Sequence, residues 1–327
     1  MAKSLRPQIL EMLIDEDTYI SGQELSDRLG VSRTAIWKHI NALKKKGYQI
    51  DSVPNKGYCL VATPNRLVPE EVARKLKTEI LGKEIVFYQE VGSTNTKAKE
   101  VAADYKEGTI FLAEAQSQGR GRLGRNWSSM PGKGIWCSVL LKPELRPRVA
   151  SLFPLITSVA IAEAIHHFGI DAKIKWPNDL LIDGKKICGI LTEMGADMDK
   201  INYLVVGFGL NVKHQAQDFP EELQSIATSL EIVSENKLDR VEILTQILYQ
   251  LEMRYQQFIE EGFEPIRELW KKYTCTLGHE VKISRFNEEP LYGRALDLNS
   301  DGSLKFELED GEVRNILSGE IGLGQEQ

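Results

Sequence analysis

Apolar residues recur at helical spacing from the start of the chain, and Ile9, Leu10, Leu13 and Ile14 mark a first helix over 7–14. Ser21, with Glu24 three residues on, reads as an N-cap and capping box for a second helix that opens at Gly22 and ends at Gly30. Ser32 caps a third helix running to about 46, and Gly47 stops it. In that third helix Ile36, Ile40 and Leu43 share one stripe, expected to face a core. Arg33, Trp37, Asn41 and Lys44 form an adjacent stripe with Lys38 and Lys45 beside it. Two short runs, 48–52 and 56–60, flank Pro54-Asn55 and predict a hairpin. Two capped helices joined by Leu29-Gly30-Val31-Ser32, then a hairpin, predict a winged helix-turn-helix.

Thr63-Pro64-Asn65 breaks this pattern and is expected to be a linker. Beyond it, apolar runs at 85–88, 109–115, 135–141, 172–176, 180–182, 187–193 and 203–206 predict strands, with Asp183-Gly184 as a hairpin turn. Helical patterns fall at 94–105, 147–168 and 238–261, the middle one apolar nearly all round and so expected against a sheet. Short strands with separated helices predict an α+β fold rather than an alternating doubly wound one. From about Cys275 onward short strands with Asn299-Ser300-Asp301-Gly302 and Asp310-Gly311 turns predict a small β-barrel.

Composition changes this picture little. At 327 residues, two or three domains are expected, and 42% hydrophobic with 27% charged residues is ordinary for a globular chain. No run of 18 apolar residues and no cleavable apolar leader is seen, so neither a membrane span nor a secretory signal is expected. Cys59, Cys137, Cys188 and Cys275 form no CxxC pair and are expected as buried free thiols in a reducing compartment, not as a zinc site. The five histidines do not cluster near any motif, so none is assigned a role.

Charge is more informative in its distribution than in its sum of −6. Residues 31–48 carry Arg33, Lys38, Lys44, Lys45 and Lys46 with no acid. A solvated lysine face is the plain alternative, but cap, glycine turn, acid-free helix and wing together favour DNA. The contacting residues would be Ser32, Arg33, Thr34, Trp37, Lys38, Asn41, Lys44 and Lys45. Residues 115–143 also lack acids and hold Arg120, Arg122 and Arg125. The loop Gln116-Ser117-Gln118-Gly119-Arg120-Gly121-Arg122-Leu123-Gly124-Arg125 joins glycines, which bring backbone N–H groups close to a ligand, to planar guanidinium donors suited to carboxylate and phosphate. Lys175-Trp176-Pro177-Asn178-Asp179, the lysines Lys185 and Lys186, and Gly207-Phe208-Gly209-Leu210-Asn211 stand at strand ends and point the same way. Each alone reads equally well as a turn, a solvated lysine or a bulge.

In that order, Ser93-Thr94-Asn95, Gln116, the glycine-arginine loop, the Lys175–Asp179 motif, Lys186 and the Gly207–Asn211 motif resemble the biotin–protein ligase family in its bacterial repressor subgroup, over nearly the whole chain. The resemblance implies a winged helix-turn-helix at 1–64, a mixed α/β catalytic domain of the biotin/lipoate ligase type at 65–273 and an SH3-like β-barrel at 274–327. It implies that Ser93, Thr94 and Gln116 bond the ureido ring, that Asn95 caps the following helix, and that Gly119, Arg120, Gly121 and Arg122 close over carboxylate and α-phosphate. Lys186 would bridge those two anions, although Lys185 is one residue away; Lys186 and Arg122 are the implied catalytic residues. Arg120, Arg122, Arg125, Asn178, Asp179, Gly207, Gly209 and Asn211 would lie along the nucleotide, with Trp127 either stacked on adenine or simply core.

The implied reaction activates biotin with Mg-ATP, the magnesium carried by ATP, and moves it to a lysine. The implied partners are the biotin carboxyl carrier protein of acetyl-CoA carboxylase and similar carboxylases, operator DNA of biotin genes, and a second copy of the chain recruited by biotinyl-AMP, all in the cytoplasm. Rival readings are a lipoate–protein ligase and a biotin-responsive regulator without ligase activity. Ser318-Gly319-Glu320 matches the family's opening near the C-terminus, but the arginine expected shortly afterwards is missing. Residues 213–230 resemble an adenylate-covering loop in position only and are expected to form a mobile lid.

Overall fold

A computed structural model of the chain describes residues 5–16, 18–62, 66–234, 236, 238–285 and 287–323; the expected linker at Thr63-Pro64-Asn65 lies outside them. Two compact units emerge, Met1–Lys75 and Leu76–Gln327.

In the first unit, α1 (Leu5–Asp15), α2 (Gly22–Leu29) and α3 (Arg33–Lys45) are followed by the hairpin β1 (Gln49–Val53) and β2 (Gly57–Ala62) and by α4 (Pro69–Lys75). Ser21 and Ser32 both cap as expected, their side chains accepting from the Glu24 and Ala35 N–H groups. Only half of the capping box forms, because the Glu24 carboxylate turns to Arg28 instead. Ile9, Leu13, Leu25, Ile36, Ile40 and Leu43 build one core. Gly57 is required by close approach: a β-carbon there would stand 2.0 Å from the Ile20 carbonyl oxygen, where Ile20 and Tyr58 exchange backbone hydrogen bonds. The helix α4, absent from the sequence expectation, follows Val68 of this core, and its Glu70 pairs with Lys46 at 2.5 Å. The unit therefore runs eleven residues past 64, to Lys75.

The second unit is built on a seven-stranded sheet. Its strands are β3 (Ile85–Tyr88), β4 (Ile110–Ala113), β5 (Gly134–Leu141), β6 (Lys173–Lys175), β7 (Asp179–Ile182), β8 (Lys185–Ala196) and β9 (Ile201–Asn211), in the order β3-β4-β5-β9-β8-β7-β6. Only β3 and β4 run parallel; the rest are antiparallel. The α+β expectation holds. Helices α5 (Thr94–Glu100), α6 (Phe153–His166), α7 (Leu230–Val233), α8 (Arg240–Glu261) and α9 (Glu264–Tyr273) complete it.

By length and composition, the helical stretch Pro147–His166 is long and apolar enough to cross a membrane, but most of it is buried, with α6 packed against β8, α8 and α9. The α8 carboxylate Glu252 accepts the N–H groups of Glu79, Ile80 and Leu81 at 2.5, 2.7 and 2.7 Å, pinning the segment before β3. Five antiparallel strands follow: β10 (Glu280–Ser284), β11 (Leu291–Leu298), β12 (Leu304–Leu308), β13 (Val313–Ile316) and β14 (Glu320–Leu323), in the order β13-β12-β11-β10-β14.

Three expectations need correction. The helix expected at 94–105 stops at Glu100, because Val101 leaves helical dihedrals and Tyr105 packs edge-on against Phe111. The strands β8 and β9 run well past 187–193 and 203–206, so the Gly207–Asn211 motif that closes β9 is itself regular strand. Of the four cysteines only Cys137 and Cys188 are buried; Cys59 and Cys275 are half-buried.

Candidate functional site

The glycine-arginine loop between β4 and β5, the β6–β7 hairpin, the starts of β8 and β14, and residues 225–227 surround one cavity of about 600 Å³. Its floor is backbone. Gly207 and Gly209 alternate on one face of β9, and Gly189 of β8 pairs with Gly209. A β-carbon on Gly207 would fall 1.9 Å from Asn95 Oδ1, and one on Gly209 would fall 2.4 Å from the Trp127 indole nitrogen. The indole thus lies against a floor stripped of side chains, its Nε1 buried without a partner, with Lys186 Nζ 5.3 Å from the ring centroid.

One part of the wall is a neutral hydrogen-bonded set. Gln116 Oε1 accepts from the Thr94 N–H at 2.8 Å and from the Thr94 hydroxyl at 3.1 Å, while Gln116 Nε2 donates to Ser129 at 2.8 Å. The Ser138 hydroxyl lies 2.7 Å from Thr94 Oγ1 and 2.6 Å from Asn95 Oδ1. Ser93, Thr94 and Asn95 are all buried at the start of α5. Contrary to what the resemblance implies, Asn95 does not cap that helix; Ser93 holds the N-cap position. Asn95 sits inside the first turn, and its Nδ2 donates to the Leu191 carbonyl and to Glu193, tying α5 to β8.

Charge gathers elsewhere on the wall. Lys186 Nζ stands 2.7 Å from Asp179 Oδ1, and Lys175 Nζ stands 3.8 Å from Asp179 Oδ2. Arg122 Nη1 donates to Asn178 Oδ1 at 3.1 Å and to the Gly319 carbonyl at 3.3 Å. Burial pulls the Arg122 guanidinium below its ordinary range, opposed by the Asp179 and Glu320 carboxylates. Arg125 pairs with Glu320. Lys186, not Lys185, lines the cavity; Lys185 is exposed, with Nζ 3.5 Å from the Gln224 carbonyl.

Of the biotin and nucleotide residues read from sequence, Gly119 alone does not line this cavity. A β-carbon there would strike the Trp127 carbonyl at 2.4 Å and Ser129 Oγ at 2.7 Å, so its small size serves the fold of the loop. Residues 213–230 bring His214, Phe219, Leu223 and Ser225–Ala227 to the cavity wall. The ends of this segment meet where the Glu231 N–H donates to the Val212 carbonyl, Ile226 and Thr228 bond the Lys186 backbone, and Asn211 Nδ2 donates to the Thr228 carbonyl at 3.1 Å.

Sequence reasoning missed His214, which lines the cavity, stacks on Phe219 with ring centroids 4.9 Å apart, and meets Trp136 edge-on. It also missed Lys175 as a cavity residue, and Ser129 and Ser138 behind the polar set. A serine opposite Gly207 in the β5–β9 register was a findable signal. In the first unit Ser32, Arg33, Thr34, Trp37, Lys38, Lys44 and Lys45 are exposed and Asn41 half-buried, with Lys44 Nζ 2.7 Å from Ser52 Oγ on β1.

Three family models match the chain: HTH domain over residues 6–59, Biotin/lipoate A/B protein ligase family over 87–211, and Biotin protein ligase C terminal domain over 276–324. The bifunctional ligase/repressor BirA of Bacillus subtilis is 40% identical over 327 residues, covering 99% of this chain and all of the relative. That of Escherichia coli is 29% identical over 318 residues and 97% of each chain. Among solved structures, a biotin protein ligase from Aquifex aeolicus in complex with biotin and ATP matches with TM-score 0.64 and 31% identity, over 74% of this chain and 99% of that one.

Proposed function

The chain belongs to the bifunctional branch of the biotin–protein ligase family, as an ATP-dependent biotin ligase and transcriptional repressor, and we propose how its residues divide the two tasks. The observation that carries the proposal is that Lys186, Arg122 and Asp179 share one cavity with the Thr94–Gln116 set.

Ser93, Thr94 and Gln116 hold the ureido ring, whose buried donors and acceptors must be met and which therefore discriminates against acids lacking them. Arg120, Arg122 and the loop amides receive the carboxylate and the α-phosphate. Lys186 lets these two anions approach and stabilises the charge that builds as the carboxylate oxygen bonds phosphorus and pyrophosphate leaves. Trp127 turns its face to adenine, with Arg125, Asn178, Gly207, Gly209 and Asn211 along the nucleotide. The ε-amine of an acceptor lysine then attacks the acyl carbon of biotinyl-5′-AMP, and AMP departs. No nucleophile on the protein is needed, and burial pushes the one cavity cysteine, Cys137, well above the ordinary thiol range.

Magnesium would arrive bound to ATP and would supply charge screening along the triphosphate. The acceptor is the biotin carboxyl carrier protein of acetyl-CoA carboxylase, the DNA target an operator of biotin genes, the active repressor a homodimer promoted by adenylate, and the compartment the cytoplasm, where both partners reside. Pyrophosphate release by purified protein supplied with ATP and either biotin or lipoate tests the reading. Release with biotin supports it, and release with lipoate alone overturns it.

A further inference from the structure

Asp179 carries one ammonium on each oxygen, Lys186 at 2.7 Å and Lys175 at 3.8 Å, and all three side chains line the cavity. The two lysines are not equivalent in how the backbone holds them. Lys175 and Asp179 are cross-strand partners in the β6–β7 hairpin, directly opposite across Trp176-Pro177-Asn178. Their register fixes the pair. Lys186 comes from β8, at a place where the β7–β8 register shifts, and reaches Asp179 only through its own flexible stem. Without ligand, the lysine that must meet the carboxylate and the α-phosphate is therefore bound to an internal carboxylate that competes for it.

We propose that Lys175 is a positioning residue for adenylation: it neutralises Asp179 when Lys186 leaves that carboxylate for the reacting anions. The inference rests on the reading of Lys186 given above. Asp179 is mostly buried, with side-chain exposure of 15%, so leaving it uncompensated is costly. Lys175 is itself mostly buried, with side-chain exposure of 21%, so a solvent cation does not readily take its place beside the carboxylate. With Lys175 present, transfer of Lys186 leaves one ion pair behind. Without it, the same transfer strands a charge, and Asp179 keeps its hold on Lys186.

The test is biotin-dependent exchange of labelled pyrophosphate into ATP, read for wild type, Lys175→Met, Lys175→Arg, Asp179→Asn and the double variant Lys175→Met/Asp179→Asn, each checked for an unchanged thermal melt. Lys175→Met is expected to lose roughly tenfold, mostly in kcat because the substrates keep their other contacts. Lys175→Arg is expected to recover most of that loss. In the Asp179→Asn background, removal of Lys175 is expected to have little further effect, since the charge that trapped Lys186 is gone. Unchanged exchange in Lys175→Met, no recovery with arginine, or an undiminished loss in the double variant would each overturn the proposal. Absence of biotin-dependent exchange in the wild type would instead refute the ligase reading on which it rests.

Discussion

Trp127 lies directly over Gly209, so that a β-carbon on the glycine would stand 2.4 Å from the indole Nε1. The second glycine of the β9 motif thus makes room for an aromatic ring, and the ring faces the place assigned to adenine.

Gly209→Ala forces the indole off the floor, because the neighbour is a ring edge in a packed site and has little freedom to give. It is expected to weaken ATP binding by about tenfold or more while leaving biotin binding within a few-fold. Calorimetric titration with each substrate separates the two.

Arg122 binds across the cavity mouth to Asn178 and to the Gly319 carbonyl. Arg122→Gly removes both ties and a charge facing the phosphate, so adenylate should still form but escape. Labelling of a bystander protein, detected with streptavidin, is expected to rise at least about tenfold over wild type, the scale of a lost charged hydrogen bond.

His214 makes the 213–230 segment pH-sensitive. Burial holds its imidazole down to about 4 from the ordinary 6.5, with Asp218 raising it and Lys133 lowering it further. Between those values the unfolded chain binds a proton that the folded chain refuses, so stability falls as pH drops from 6.5 to 4 and levels off below. The full span is roughly 3 kcal/mol. Melting temperature followed against pH should show a shallower acid limb in His214→Gln than in wild type.

Arg240 and Glu114 form an almost fully buried ion pair at 2.8 Å, with Arg240 also donating to the Gly134 carbonyl at 3.0 Å. Arg240→Met strands the Glu114 carboxylate, just past the end of β4, and is expected to cost about 3 kcal/mol or more. Chemical denaturation should find Arg240→Met/Glu114→Gln less damaged than the single change.

Operator binding should weaken steeply with salt, by a log–log slope of about −0.9 per phosphate neutralised. Lys38→Ala, an exposed position on α3, is expected to lower that slope by about one without altering the winged-helix melt.

The first unit was the most legible part of the chain, because Ser21, Ser32 and Gly30 are local signals that act within a few residues. The helix α9 was equally readable in Ile266, Trp270 and Tyr273 yet passed over beside the longer α8. The length of β8 and β9 was not readable, since Gly189, Gly195, Gly207 and Gly209 read as strand breakers when alone. They are tolerated because each leaves space that a neighbour such as Asn95, Trp127 or Tyr203 fills. All the ligand residues named from motif spacing except Gly119 line the cavity. Spacing could not show that Asn95 braces β8 instead of capping α5, nor that Lys175 shares Asp179 with Lys186, because both depend on strand register set by contacts distant in sequence.

The most direct measurement is biotinyl-AMP formation in a single turnover, wild type against Lys186→Ala, with circular dichroism confirming the fold of both. The account predicts adenylate within seconds for wild type and a loss of at least about a hundredfold for the variant, as expected when a group stabilising transition-state charge is removed. Adenylate formation at the wild-type rate in Lys186→Ala would contradict it.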